Sequence, residues 1–245
     1  KDQSYFLCQL TQEQLAPALF PIGHLEKSEV RRIAAEQDLV TADKKDSQGL
    51  CFIGKVKLPV FLQQQLKPKK GAIVELPADL PIYDVYRKKI NSGDYKFLSE
   101  PFVYKAADGK IKGQHEGAHY FTIGQRKGLQ VGGTPLPLFV VATNTIENII
   151  YTGQGEEHPG LNRKALFIRS AEEHWIRPDW KLNEGESREF GVRIRYRQPL
   201  EKATLFKHAE GTYILFDNLQ RGVSPGQFAA WYDGEELIGS GVIWS

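Results

Sequence analysis

Cys51 is the residue whose surroundings best suit covalent chemistry. It follows the polar stretch Thr41-Ala42-Asp43-Lys44-Lys45-Asp46-Ser47-Gln48-Gly49 and sits inside the short apolar run Leu50-Cys51-Phe52-Ile53-Gly54. Positive charge such as that of Lys44 and Lys45 lowers a thiol pKa and raises its thiolate fraction. A thiolate can attack a persulfide donor, hold the outer sulfur and hand it on. The plain alternative is a buried structural thiol, because free cysteine is among the most buried residue types and Leu50, Phe52 and Ile53 are apolar. Cys8, in Phe6-Leu7-Cys8-Gln9-Leu10, reads as core.

A second constellation is basic. In Gly191-Val192-Arg193-Ile194-Arg195-Tyr196-Arg197-Gln198, strand alternation puts Arg193, Arg195 and Arg197 on one face, with Val192, Ile194 and Tyr196 on the other. Three aligned guanidiniums suit a phosphate backbone; a solvated face paired with carboxylates is the competing reading. Ile123-Gly124-Gln125-Arg126-Lys127-Gly128-Leu129 is a glycine-flanked basic turn. It lacks the Gly-x-x-x-x-Gly-Lys-Ser/Thr spacing of a phosphate-binding loop. The six histidines have no zinc spacing, and two separated cysteines make no zinc knuckle, so no metal is expected.

The elements that must position these groups change along the chain. Thr11-Gln12-Glu13-Gln14 predicts a capping box, and a second helix is expected from about Glu26 to Asp38, with Val30, Ile33, Ala34 and Gln37 inward. A short helix is expected from Leu58 to Leu66. Beyond residue 71 the pattern turns to strands: Ala72–Leu76, Phe102–Tyr104 and Tyr120–Ile123. Residues 77–101 carry no clear pattern. From 138 onward short strands recur at Phe139–Val141, Ile149–Tyr151, Ala165–Ile168, Phe190–Tyr196, Ala203–Phe206, Tyr213–Phe216 and Phe228–Tyr232. Asp233-Gly234 predicts a hairpin before Leu237-Ile238. That spacing argues for a small barrel.

Composition sets the frame. The chain has 245 residues, 41% hydrophobic and 25% charged, an ordinary balance for a packed core. No apolar run approaches the ~18 residues of a membrane span. Lys1-Asp2-Gln3-Ser4-Tyr5 does not open a signal peptide. Two cysteines make a disulfide framework unexpected and a reducing cytoplasm the default. Net charge is only +2, so nucleic-acid binding must come from local clustering of basic residues. There is no methionine, and the helical opening starts abruptly; both suggest part of a longer protein.

Six segments, in order, resemble the bacterial tRNA-specific 2-thiouridylases: Lys-Asp-Gln-Ser-Tyr-Phe-Leu at 1–7, Leu-Glu-Lys-x-Glu-Val-Arg at 25–31, Asp-Ser-Gln-Gly-Leu-Cys-Phe-Ile-Gly at 46–54, Tyr-Phe-Thr-Ile-Gly-Gln-Arg-Lys-Gly-Leu at 120–129, Arg-Tyr-Arg-Gln at 195–198 and Ser-Pro-Gly-Gln at 224–227. The resemblance implies that ATP adenylates the C2 oxygen of the wobble uridine in tRNAs for Lys, Glu and Gln. A persulfide on Cys51, loaded by a sulfur-donor protein, then supplies sulfur to C2. A second cysteine would help release that sulfur through a transient disulfide. By motif, Lys1, Asp2 and Gln3 are expected against the tRNA near the target base, and Arg195, Tyr196 and Gln227 on tRNA from the barrel; Arg195 and Tyr196 can both do so only if the strand ends or bulges near Tyr196, so an irregularity is expected there. Lys44, Lys45, Arg126, Lys127, Arg193 and Arg197 complete the expected RNA-contacting set.

The implied fold is α+β, mainly β. Residues 1–56 are expected to form the helical tail of an α/β ATP-pyrophosphatase-like domain with the persulfide cysteine. Residues 57–137 are expected to be a small β-rich central domain, and 138–245 a tRNA-binding β-barrel like those of translation elongation factors. The family's Ser-Gly-Gly-x-Asp-Ser loop and its upstream catalytic cysteine have no counterpart in the sequence. This chain alone is therefore expected neither to bind ATP tightly nor to thiolate tRNA. The family's older name is that of a methyltransferase, but no glycine-rich S-adenosylmethionine site is apparent. Two other readings stay open: a stand-alone tRNA-binding module, and a sulfur-relay protein using Cys51 alone.

Overall fold

The computed structural model describes residues 2–44, Phe61 and residues 66–245. Cys51, Lys1, Lys45 and most of the helix expected over 58–66 lie outside the described residues. Two units are resolved by their internal packing: residues 11–67, and residues 68–245 together with the first ten.

In the first unit, helix α1 (Gln12–Leu15) starts on the expected capping box. Gln14 N–H donates to the Thr11 hydroxyl at 3.3 Å, and Thr11 N–H donates to the Gln14 side chain at 2.9 Å. Helix α2 (Lys27–Glu36) carries Arg32 paired with Glu29 and Glu36 along one exposed face. Of the expected inward stripe, Val30 and Ala34 are half-buried, whereas Ile33 and Gln37 are exposed.

The second unit holds two sheets. Strands β1 (Gly71–Glu75), β2 (Lys110–His115), β3 (Leu138–Asn144) and β4 (Ile149–Gln154) form a four-stranded sheet in the order β2-β1-β4-β3, with β1 and β4 parallel. Alternation splits its side chains between two small cores. Ile73, Val140 and Ile150 face one, with Leu129 and Ala118; Val74, Val141 and Tyr151 face the other, with Tyr83 and Tyr104. The unpatterned stretch 77–101 folds into helices α3 (Pro81–Lys89) and α4 (Tyr95–Ser99). Pro81 occupies the first turn of α3, where a missing N–H does no harm, and Asp94 caps α4 through Phe97 N–H at 3.1 Å.

Strands β5 (Asn162–Arg169), β6 (Glu173–Trp175), β7 (Ser187–Arg193), β8 (Glu201–Lys207), β9 (Gly211–Arg221), β10 (Phe228–Asp233) and β11 (Glu236–Val242) form the second sheet, ordered β5-β9-β8-β7-β10-β11-β6. The chain beyond β11 closes it: Trp244 N–H donates to Phe167 O at 2.9 Å and Phe167 N–H to Ser245 O at 2.8 Å. The result is a barrel around Leu166, Ile168, Val192, Leu205, Phe216 and Trp231. The β10–β11 hairpin turns at Gly234, φ +55°, as the Asp-Gly pair predicts. The α+β, mainly β class stands.

Several expectations are corrected. Phe102–Tyr104 is not a strand; Phe102 and Tyr104 turn inward onto Tyr83 without a neighbouring strand, and Val103 is exposed. Tyr120 ends a 3-10 turn and residues 121–123 are loop; just beyond, Gly124 N–H donates to Val140 O and Val140 N–H to Gln125 O. Strand β2, Lys-Ile-Lys-Gly-Gln-His, escapes a hydrophobicity search because five of its six residues are not buried. Strands β3 and β4, read with the strands of the C-terminal barrel from 138 onward, lie in the first sheet instead, β4 pairing with β1 and β3 with β4.

Candidate nucleic-acid interface

The arginine comb does not form as expected. Strand β7 ends at Arg193, and residues 194–197 make a tight turn with Arg197 at φ +66°. The turn is tied by Gln198. Its side chain accepts Ile194 N–H at 3.0 Å and donates to Gln220 at 2.8 Å, and its N–H reaches Arg195 O at 3.2 Å. A left-handed residue ends the alternation, so the three arginines take three environments.

Arg193 has a side chain only 12% exposed. Its guanidinium donates to Asp2 at 2.8 Å and lies 4.7 Å from the centre of the Tyr232 ring. Asp2 also accepts both the N–H (2.9 Å) and the hydroxyl (2.6 Å) of Ser4. These Ser4 bonds, with Arg193 behind them, hold the Asp2 carboxyl below its ordinary range. Arg195 is half-buried and donates to Gly222 O at 2.6 Å and Ile123 O at 3.4 Å. Burial, and then the like charge of Arg221, push its pKa down. Gly222, at φ +68°, must be glycine, since a Cβ there would sit 2.1 Å from the Arg195 guanidinium. Arg197 is exposed, with its guanidinium 5.0 Å from the Tyr196 ring centre.

Residues 2–10 are laid along the barrel by polar ties at both ends. Tyr5 donates to Ile194 O at 3.1 Å and Phe228 O at 2.9 Å. Ser240 donates to Cys8 O at 2.6 Å and accepts from Gln9 at 2.6 Å. Cys8 is buried with Ala230 and Tyr232, matching its reading as core, and burial pushes its thiol up. This brings Phe6 to 4.4 Å from the Tyr196 ring centre, although the two are 190 positions apart; Phe6 itself stays 65% exposed.

The outcome is a cleft of ≈ 440 Å³ with Tyr5, Phe6, Arg195, Tyr196, Gln227 and Phe228 among its walls. Two residues before Arg195, Arg193 holds Asp2. The loop with exposed Arg126 and Lys127 adjoins Arg195 through Ile123, and is braced by Gln125 donating to Lys127 O at 2.7 Å. The structure thus gathers Asp2, Arg195, Tyr196 and Gln227 from three distant segments. Sequence reasoning gave Phe6 no role, although it stands inside the first motif. Lys44 is exposed in the other unit. Aromatic faces beside guanidiniums can stack bases while cations hold phosphates.

Among the described residues no three His, Cys, Asp or Glu converge as a metal site, and no helix is long and apolar enough to cross a membrane. The described α-helices start at Thr11, Glu26, Leu80 and Asp94. Two of these caps are carboxylates and none ends a glycine-rich loop, so these helix starts do not fit a triphosphate.

Three family models match this chain: the tRNA methyl transferase HUP domain over residues 1–55, the tRNA methyl transferase PRC-barrel domain over 99–154, and the aminomethyltransferase beta-barrel domain over 167–243. The tRNA-specific 2-thiouridylase MnmA of Christiangramia forsetii is 60% identical over 247 residues, covering 99% of this chain. That of Flavobacterium johnsoniae is 60% identical over 245 residues, and that of Karelsulcia muelleri 46% over 243, each again covering 99% of this chain. The chain spans 62%, 62% and 61% of the lengths of these three relatives.

Proposed function

Since the chain belongs, over the stretch it spans, to the tRNA-specific 2-thiouridylase family, we propose that it is the tRNA-holding and sulfur-delivering part of an enzyme that thiolates C2 of a wobble uridine. The observation that carries this reading is the cleft joining Phe6, Arg195, Tyr196 and Gln227, with Asp2 tied to Arg193. It offers stacking surfaces and cations side by side, as single-stranded RNA recognition requires. The preferred RNA is the anticodon arm of tRNAs for Lys, Glu and Gln.

In this reading Cys51 carries the sulfur. A donor protein transfers its outer sulfur to the Cys51 thiolate, making a persulfide. The terminal sulfur then attacks C2 of the uridine, and the C2–O bond breaks once that oxygen has been made a leaving group; a second cysteine thiol, other than Cys8, next attacks Cys51 Sγ, so that the S–S bond breaks, the outer sulfur stays on C2 and a disulfide forms with Cys51. ATP supplies that activation when bound, leaving as AMP; its phosphate-binding groups are not among the described residues. Tyr196 and Phe6 hold a neighbouring base, Arg197, Arg126 and Lys127 hold phosphates, and Asp2 is oriented by Arg193 and Ser4. Cys8 takes no part: it lines the cleft but is buried against Tyr232 and Ala230, and burial pushes its thiol up.

The test pairs two readouts on the purified chain. Incubation with a cysteine-persulfide donor should leave sulfur on Cys51 and none on Cys8, as read by peptide mass spectrometry. An anticodon stem-loop should bind, and Tyr196→Ala with Phe6→Ala should weaken it at least tenfold. Sulfur on Cys8 alone, or RNA binding indifferent to both aromatics, would overturn the assignment.

A further inference from the structure

Arg163 stands apart from the RNA-facing arginines. It lies at the start of β5, 6% exposed. One terminal nitrogen donates to Ser99 O, its Nε has neither a partner nor any exposed area, and no carboxylate pairs with it among the described residues. An arginine stays charged at neutral pH, and an uncompensated buried charge is expensive. Burial pushes this guanidinium down to about 10, opposed only by the tyrosines Tyr86 and Tyr104.

Arg163 also helps to wall a cavity of ≈ 60 Å³ between the four-stranded sheet and the barrel, together with Tyr104, Val141, Leu161 and Val223. Tyr104 accepts the hydroxyl proton of Tyr83 at 3.0 Å, so its own O–H remains free to donate. The walls therefore include a guanidinium with no carboxylate partner among the described residues, a phenol with a spare O–H, and otherwise apolar side chains. No wall residue is an acid. A space of that size admits a water or a monatomic anion. A backbone phosphate carries two sugars with it and is too large.

We propose that this cavity is a halide-type anion site, in which a monatomic anion such as chloride is held by the Arg163 guanidinium and the Tyr104 hydroxyl and fastens the sheet to the barrel. Chemically the pair supplies charge-assisted hydrogen bonds in a water-poor setting, where such bonds are strong. The site is independent of the RNA-facing cleft and of the proposed sulfur chemistry.

The test is thermal unfolding of the full chain at fixed ionic strength, replacing potassium gluconate stepwise by potassium chloride or bromide. Gluconate is too bulky for the cavity. Binding to the folded state alone raises the Tm in a saturable way, here by about 2–5 °C for a chain of this size. Tyr104→Phe should raise the half-saturating halide concentration about tenfold, and Arg163→Met should abolish the response. Crystals grown in bromide should give an anomalous peak beside Arg163. A halide-insensitive wild type, an Arg163→Met chain that responds like wild type, or no bromide peak would overturn the site. Should Arg163→Met not fold, Tyr104→Phe and the bromide map still decide.

Discussion

Replacing Arg193 and Arg197 one at a time should separate two roles that the sequence gives them jointly. Arg193→Ala removes a charge-assisted hydrogen bond of 2.8 Å to Asp2 and a cation–π contact of 4.7 Å with Tyr232. A hydrogen bond to a charged group contributes roughly 1.5–3 kcal/mol when buried. Asp2 is 50% exposed, so about half of that applies. The cation–π contact adds roughly 0.5–1 kcal/mol. The total, about 2 kcal/mol, predicts a Tm lower by roughly 4–8 °C for a chain of this length. The salt dependence of RNA binding should hardly change, because this guanidinium is already matched. Arg197→Ala should do the opposite, leaving the Tm within about 1 °C and reducing the slope of log K against log salt by about 0.7–0.9. Circular-dichroism melts and anticodon stem-loop titrations between 50 and 300 mM salt, as rough bounds, measure both. Asp2→Asn should lose most of the same stability, and the Arg193/Asp2 double variant should lose little more than either single one. If Arg193→Ala leaves the melt untouched while lowering the salt slope as Arg197→Ala does, the ion pair is not the residue's main engagement and the argument fails.

Two further outcomes follow from the buried histidine His158. Burial holds its pKa below the ordinary value, and its ring accepts Gly160 N–H at 3.2 Å while lying 3.3 Å from Leu76 O. A depressed folded pKa means that the stability is present above the unfolded value, near 6.5, and is lost as pH falls below it. Urea titrations at pH 7.5, 6.5 and 5.5, chosen as values around that pKa, should therefore show wild type declining more steeply than His158→Gln; parallel declines would count against it, since His115, whose pKa burial also lowers, is present in both chains. Gly153→Ala would set a Cβ 2.3 Å from the His158 ring and should destabilise by about 1–3 kcal/mol; a chain that melts at the wild-type temperature would mean that the ring moves aside freely.

What the sequence revealed follows from how local each signal is. The Thr11–Gln14 capping box and the Asp233-Gly234 hairpin are decided within four residues, and both appear as read. The barrel strands were legible because their cores alternate over short runs, as Val192 and Ile194 do inside while Arg193 and Arg195 do not. Strand β2 was not, because Lys110, Ile111 and Lys112 are exposed and its identity comes from pairing with β1. Nor was the end of the barrel's territory legible: Leu138–Gln154 reads like the strands after it, and only its parallel register with Ala72–Glu75 assigns it to the other sheet.

The same limit explains the site. Alternation rightly separated Ile194 from its arginine neighbours, and the irregularity expected near Tyr196 is there; what the sequence could not show is its cause, Gln198 folding back to accept Ile194 N–H where the strand ends after Arg193. That single side-chain bond has a large consequence. Continued as a strand, residues 194–197 would have sent Tyr196 to the face opposite the arginines. Turned, Tyr196 and Arg197 come to the same edge, within reach of Phe6 from the chain's first segment. A base-stacking surface beside an exposed cation thus arises where a regular strand would have forbidden it, and Gln198, through its bonds to Ile194 and Gln220, is the residue on which that geometry depends.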